Sequence, residues 1–466
     1  MIFSTIDDLR KSIEGIVDLE DNRVTILDES RLREELVDYL AYSMALSTDE
    51  KVREAATWII RRVGAALGIM PASIQPLYEA MGKESVSGFT VPAINLRGIA
   101  FHSAQAVFRA ALAMDAAAIL FEIARSEIGY TSQKPAEYTA AVTAAAIKTG
   151  YRGPLFIQGD HFQINAKKYR NDPSTELEAV KQLIREAIPG GFYNIDIDAS
   201  TLVDLSKGSI KEQQRDNFAI TADMTQLIRN LEPQGVTITV GGEIGEVGSK
   251  NTTVEEFEIF MEGYLEELGK NASAGPVTGI SKISIQTGTT HGGVPLPDGS
   301  IATVKIDFDT LESISQIARS KYGLAGAVQH GASTLPEEAF DRFPATGTAE
   351  IHLATGFQNI IYDSPHFPES LKNRIYDYIR SELKGEKKEN DTEEQFIYKT
   401  RKKGFGRFKK ELWHLDTRVL EAIGTELEDR FKLLFGKLEI GGTKETVHQI
   451  VQPVDVPPPT PDSLIS

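Results

Sequence analysis

The sequence contains no cysteine in its 466 residues, which excludes disulfides, thiolate catalysis and Cys-ligated zinc or iron–sulfur centres. Any metal must therefore be held by His, Asp and Glu, and there are eight histidines. It also lacks an uncharged apolar run of the ~18 residues that a membrane span requires, so no membrane partner is expected. Positive charge is in short supply. The 50 Lys and Arg stand against 67 Asp and Glu, a net charge of −17, which argues against nucleic acid as a main partner. The opening MIFSTIDDLRKSIEGIVDLED is acidic and broken by charges, unlike a secretory signal, and a cytoplasmic location is expected. The remaining composition is ordinary for a globular chain: 41% hydrophobic and 25% charged residues, with ample length to bury a core.

The first 85 or so residues read as a helical extension. Leu32, Leu36, Tyr39 and Leu40, then Ala55, Trp58, Ile59, Val63 and Leu67, recur at three- and four-residue spacing and line one helix face, until Pro71 breaks the pattern. Such an extension serves packing or oligomerisation. From residue 89 short apolar runs alternate with helix-like segments: FTVPAIN (89–95), AAAILFEIA (116–124), LFIQGDH (155–161), YNIDIDAS (193–200), VTITVGGEIG (236–245), ISIQTGTTHGG (283–293), AGAVQHG (325–331) and AEIHLATG (349–356). Eight apolar runs without strict alternation, each with room after it for a crossover helix, predict an α/β fold. The choice is a (β/α)8 TIM barrel over residues 86–365. A doubly wound open sheet would need a glycine-rich turn after its first strand, and Asn95 to Gly98 does not supply one. Residues 366–466 turn charged and helical and close with VQPVDVPPPTPDSLIS. This proline-rich tail should be an extended arm that crosses a neighbouring subunit or moves freely.

Polar residues and glycines gather at the C-terminal ends of the predicted strands, where such barrels carry their sites. Strand three ends in Gly159-Asp160-His161, strand six in Gly288-Thr-Thr-His291-Gly-Gly293, strand seven in His330-Gly-Ala-Ser333. A lone histidine would read as a hydrogen-bonded interior residue. Three imidazoles at equivalent strand ends instead suit a divalent cation with a position open for substrate. Glu243 and Asp198 aim carboxylates at the same rim. His352 lies near the end of strand eight, as a substrate contact or a core residue. Gly288, Gly292, Gly293 and Gly331 would admit an anion close to backbone N–H groups, and Ser333 and Thr355 add hydroxyls where such barrels hold phosphate. These features point to a phosphorylated substrate.

The set FTVPAIN, GDH, IDIDAS, VGGEIGEVG, QTGTTHGG, QHGAS and IHLATG resembles the class II, metal-dependent fructose-bisphosphate aldolases in order and spacing over residues 85–363. The resemblance implies reversible cleavage of a phosphorylated sugar, fructose 1,6-bisphosphate, to dihydroxyacetone phosphate and glyceraldehyde 3-phosphate through a metal-stabilised enediolate. It implies that His161, His291 and His330 bind the catalytic cation, that Glu243 is an alternative ligand, and that Asp198 lies near a second metal position. Asp160 would handle the C4 hydroxyl proton. Asn95 would touch the dihydroxyacetone phosphate, and Gly292, Gly331, Ser333 and Thr355 its phosphate. With no lysine at the rim for a Schiff base, a Lewis acid must stabilise the developing charge. Three nitrogens with optional carboxylates suit Zn²⁺ first, then Mn²⁺, Fe²⁺ or Co²⁺, and the resemblance allows a monovalent cation near the phosphate.

The sequence also departs from the family pattern. The loop after strand five reads Gly248-Ser-Lys-Asn251 where a Glu is usual, leaving Glu246 as the nearest carboxylate for the base that removes the dihydroxyacetone phosphate proton. Gly241 replaces a Glu, Ala124 stands near the expected serine, and His352 and Ala354 replace an Asn and an Asp. These changes leave open tagatose 1,6-bisphosphate as substrate, a non-catalytic accessory subunit, or a metal-dependent hydrolase. A homo-oligomer, dimer or tetramer, is the expected use of the two extensions.

Overall fold

The eight apolar runs form eight parallel strands in the computed structural model, which describes residues 2–20, 23–245, 250–270, 277–288 and 306–465. We number them β1 (Val91–Asn95), β2 (Leu120–Ala124), β3 (Gly153–Gln163), β4 (Asn194–Asp198), β5 (Thr239–Glu243), β6 (Lys282–Ile285), β7 (Ala327–Gln329) and β8 (Glu350–Leu353). Each pairs in parallel with the next, and β8 returns to β1 through Ile351↔Pro92 and Leu353↔Ile94. The sheet is thus a closed (β/α)8 barrel. Every residue of β1, β2 and β4 is buried, because helices such as Ala100–Met114, Pro135–Thr149 and Ile210–Leu231 cover the outer face. The inner face is charged. Gln158 and Asp160, Asp196 and Asp198, and Glu350 and His352 are spaced by two, so each pair shares one face of its strand.

The N-terminal extension is helical over Ile6–Ile13, Val37–Leu46 and Glu50–Ala66. Of its predicted helix face, Leu32, Leu36, Leu40, Ala55, Trp58, Ile59, Val63 and Leu67 are buried, but Tyr39 is 42% exposed. A π-helical turn at Leu32–Leu36 widens the helix there and shifts the phase of the residues after it. Two parts of the extension are extended, not helical. Val17–Glu20 pairs antiparallel with Arg23–Ile26, and Ile69–Ala72 runs parallel to the first residues of β3. Pro71, expected to break the helix, lies in this added edge strand, where its missing N–H is not needed. The helix itself stops at Ala66, ahead of Gly68 with φ +75°.

Beyond β8 the chain is largely helical. Thr417–Lys437 packs on Ala100–Met114, with Arg109 Nε 2.6 Å from Glu428 Oε2. Residues 401–408 press against the loops after β1 and β2. A Cβ on Gly98 would meet the Phe405 ring at 2.0 Å, and one on Gly406 would meet the Tyr130 carbonyl at 2.2 Å, so both contacts need glycine. The proline-rich tail, expected to cross a neighbour or to move, packs on its own chain. Trp58 Nε1 donates to the Pro458 carbonyl (3.2 Å), Arg62 pairs with Asp455 (2.7 Å), and Arg10 donates to the Ser463 carbonyl (2.7 Å). Once the prolines end, Asp462–Ile465 forms a short helix. Among the described residues no helix is long and apolar enough to cross a membrane.

Candidate metal and substrate site

Adjacent residues of a regular strand point to opposite faces, yet Asp160 and His161 both line the cavity at the barrel mouth. The register of β3 against β4 shifts between Gly159 and Phe162, and His161 takes the left-handed region at φ +41°. This irregularity turns two consecutive functional side chains the same way, at a strain cost of about 1–3 kcal/mol.

His161 and His330 stand side by side, ring centroids 4.2 Å apart and planes tilted by 44°. Their Nε2 atoms lie 3.6 and 3.9 Å from Asp160 Oδ1. Their Nδ1 atoms have other neighbours. Glu243 Oε2 is 3.0 Å and Asp198 Oδ2 3.2 Å from His161 Nδ1, while Ser284 Oγ is 2.9 Å and Glu243 Oε1 3.7 Å from His330 Nδ1. Each imidazole therefore has one nitrogen toward Asp160 and one against an oxygen that can orient it. Asp160 Oδ1 is buried without a hydrogen-bond partner. Burial pushes the Asp160 carboxyl up, but His161, His352 and His330 outweigh this and hold it well below the usual range. Burial likewise opposes a charged His161, and Asp160 and Glu243 reverse the balance.

Deeper in the barrel His352 sits between carboxylates. Its Nδ1 is 2.8 Å from Glu122 Oε2 and 3.3 Å from Asp160 Oδ1, and its Nε2 is 2.6 Å from Glu350 Oε1. Glu350 accepts from Tyr78, from Gln158 Nε2 (2.9 Å) and from Lys282. Lys282, 1% exposed, also donates to Asp196 Oδ2 (3.0 Å) and Gln158 Oε1 (2.8 Å). Burial and Asp160 push the Glu122 carboxyl up to about 8, against the pull of His352.

The cavity above these groups has a volume of about 560 Å³. One wall carries Asn95, whose Nδ2 donates to Glu127 Oε2 (2.6 Å), and Arg97, whose Nε donates to Glu127 Oε1 (2.6 Å) and whose Nη1 reaches Gln358 Oε1 (2.9 Å) and Thr355 Oγ1 (3.3 Å). Gly331 and Ser333 also line the cavity, and Ser333 Oγ accepts from the Ala354 N–H (2.6 Å). Lysine does reach the rim, contrary to the sequence expectation: Lys168 and, from the docked C-terminal segment, Lys402 line the cavity. Burial and the neighbouring Arg97 lower the pKa of Lys402.

Arg97 and Glu127 form a buried pair, so removing the cation should strand a carboxylate. Arg97→Met is expected to destabilise the fold by about 3 kcal/mol in urea unfolding at neutral pH, and Glu127→Gln in the same background to restore part of it. A loss below about 1 kcal/mol in the single variant would refute the assignment. Burial raises the Glu127 carboxyl, but Arg97 outweighs it and the net shift is downward. The contribution of Glu127 is therefore complete above its unfolded pKa of about 4.3 and is lost as acid protonates it in the fold.

Of the predicted site residues, the structure brings Asn95, Asp160, His161, His330, Gly331, Ser333, His352 and Thr355 to one cavity, with Asp198 and Glu243 behind His161. His291, Gly292 and Glu246 lie outside the described residues. Glu122, Lys282 and Glu350 escaped sequence reading, although a charge inside an apolar strand run is itself a signal of an inward polar cluster. Arg97 and Lys402 carried no comparable signal.

A family model described as fructose-bisphosphate aldolase class-II matches residues 76–408. Among solved structures the chain is similar to a probable tagatose 6 phosphate kinase from Sinorhizobium meliloti 1021, with a TM-score of 0.52 and 16% identity over 77% of this chain and 93% of that one. It is also similar to a fructose-bisphosphate aldolase from Campylobacter jejuni, with a TM-score of 0.46 and 17% identity over 81% and 97% of the two chains. The first likeness supports the barrel and nothing finer. No curated protein matches the sequence.

Proposed function

The chain belongs to the class-II fructose-bisphosphate aldolase family, and from this premise we propose that it cleaves fructose 1,6-bisphosphate reversibly to dihydroxyacetone phosphate and glyceraldehyde 3-phosphate. The observation that carries the proposal is the meeting of Asp160, His161 and His330, whose ligand atoms lie within 4.8 Å of one another on the cavity wall. Two imidazoles and a buried carboxylate oxygen with no hydrogen-bond partner suit a divalent cation. His291 is the third imidazole of the proposed set, with Glu243 and Asp198 as further carboxylates. Zn²⁺ fits this donor set first, with Mn²⁺, Fe²⁺ or Co²⁺ as alternatives. Bound there, the cation would supply Lewis-acid stabilisation of the negative charge that develops as the carbon–carbon bond breaks.

The chain's own residues would bind the sugar and move its protons. Asp160 takes the C4 hydroxyl proton, and Glu246 is the proposed base for the dihydroxyacetone phosphate carbon. Asn95 contacts the sugar, and His352, the other expected contact, lies among carboxylates in the cavity wall. Gly292, Gly331, Ser333 and Thr355 hold one phosphate through backbone N–H groups and hydroxyls. Lys402, which lines the same cavity near Arg97, is a further cationic group for a phosphate. Lys402→Ala should raise KM about tenfold and leave kcat within a factor of about three, the mark of lost uniform binding. A fall in kcat with unchanged KM would remove Lys402 from this role.

The direct test is a coupled assay for triose phosphate on metal-stripped protein, before and after adding Zn²⁺ or Mn²⁺. Cleavage restored by metal is the expected result, and metal-independent cleavage or none with any metal would overturn the proposal. The presence of His352 and Ala354 in place of the family's Asn and Asp favours one second reading, the C4 epimer tagatose 1,6-bisphosphate. Running both sugars gives the ratio of kcat/KM that decides between them.

A further inference from the structure

Carboxylates crowd the interior of this barrel. Among the described residues Glu122, Asp160, Asp196, Asp198, Glu243 and Glu350 meet there, with the ammonium of Lys282 beside two of them. Four of the six, Glu122, Asp160, Asp196 and Glu350, approach the ring of His352.

The contacts on the Nδ1 side of that ring have the spacing of a ligand sphere. Glu122 Oε2 and Asp160 Oδ1 lie 2.8 and 3.3 Å from Nδ1. Donors held about 2.1 Å from a tetrahedral or octahedral ion stand roughly 3.0–3.4 Å from one another. None of these contacts is aligned as a hydrogen bond. Both ring nitrogens of His352, and Asp160 Oδ1, are buried without a hydrogen-bond partner, although the His352 side chain is only 5% exposed. Nδ1 and Asp160 Oδ1 stand as donors around a common ion do, their lone pairs directed at the ion and not at each other. Behind the ring, Nε2 faces Glu350 Oε1, the carboxylate partner that commonly orients a ligating imidazole. Tyr78, Gln158 and Lys282 fix Glu350 in turn.

We propose that Glu122, His352 and Asp160 form a second divalent-cation site, with Asp160 shared between it and the ion beside His161 and His330. The proposal rests on the metal-dependent reading of the first site, and its ligand group is separate from the one that Asp198 and Glu243 form with His161. The His330 and His352 rings are 4.0 Å apart, so the ions would be close neighbours. Carboxylate-bridged pairs of this kind, ~3.5–4 Å apart, clamp adjacent oxygens of one substrate.

The test is metal stoichiometry. Metal-stripped full-length protein is reloaded with Mn²⁺, dialysed, and measured by elemental mass spectrometry and electron paramagnetic resonance. Wild type should hold two ions per chain with the spectrum of a coupled pair. Glu122→Gln and His352→Asn, both close in size to the native residues, should each hold one ion with an isolated-ion spectrum. Circular dichroism reports whether each variant is folded, and either variant alone suffices. One ion per chain in wild type, or two in wild type and in both variants, overturns the second site and leaves the first intact. No bound manganese in wild type overturns the first site as well, and with it the metal-dependent reading.

Discussion

His330→Ala lowers fructose 1,6-bisphosphate cleavage by at least about a thousandfold, equivalent to some 4 kcal/mol of transition-state stabilisation. His330 presents one nitrogen to the Asp160 side and rests the other against Ser284, and the proposed cation set includes that inward nitrogen. Losing it weakens the hold on the cation that would supply several kcal/mol of charge stabilisation, and alanine offers no donor in return. The measurement is kcat/KM with excess Zn²⁺, together with metal content after dialysis. Both should fall. A variant that keeps more than about a tenth of the wild-type rate would show that the chemistry does not pass through this site.

Asp160→Asn produces a loss of similar order by a different route, about 10²- to 10⁴-fold in kcat. The amide keeps the shape of the carboxylate but cannot accept the sugar's C4 proton. His161 and His330 remain, and the protein should still carry at least one ion per chain. That combination separates the two residues: the histidine variant loses metal and rate together, and the aspartate variant loses rate with metal in place. A D160N protein that turns over at the wild-type rate would remove Asp160 from proton transfer. One that loses all metal would show that its part in holding the cation outweighs its part in proton transfer.

The barrel was legible because parallel strands covered on both faces must be apolar throughout, and eight such runs stand out against the polar helices between them. The charged interior was only half legible. Glu122 in FEIA, Lys282 at the start of β6 and Glu350 in EIHL break apolar runs, which marks them as unusual. Their pairing was not readable, since Gln158 meets Glu122 across 36 residues of chain and Tyr78 meets Glu350 across 272. Gln158 meets Glu122 because β2 pairs with β3, and Tyr78 meets Glu350 only in the assembled fold. The same holds at the mouth, where Lys402 arrives from a segment that docks because Gly98 and Gly406 let it approach.

By itself the sequence determined the fold class, the exclusion of thiol chemistry and the positions of His161 near the end of β3 and His330 directly after β7. These are local matters, set by hydrophobic period, composition and the glycines beside each strand terminus. The tertiary structure decided the rest. The irregularity in β3 turns Asp160 and His161 to the same side, which alternation along a strand forbids. The partners of Glu127, Glu350 and His352 come from distant strands and loops, and the proline-rich tail lies on its own N-terminal helices. Interactions between buried charges fall steeply with distance, so an ångström-scale arrangement that no one-dimensional pattern encodes determines which carboxylate each histidine meets.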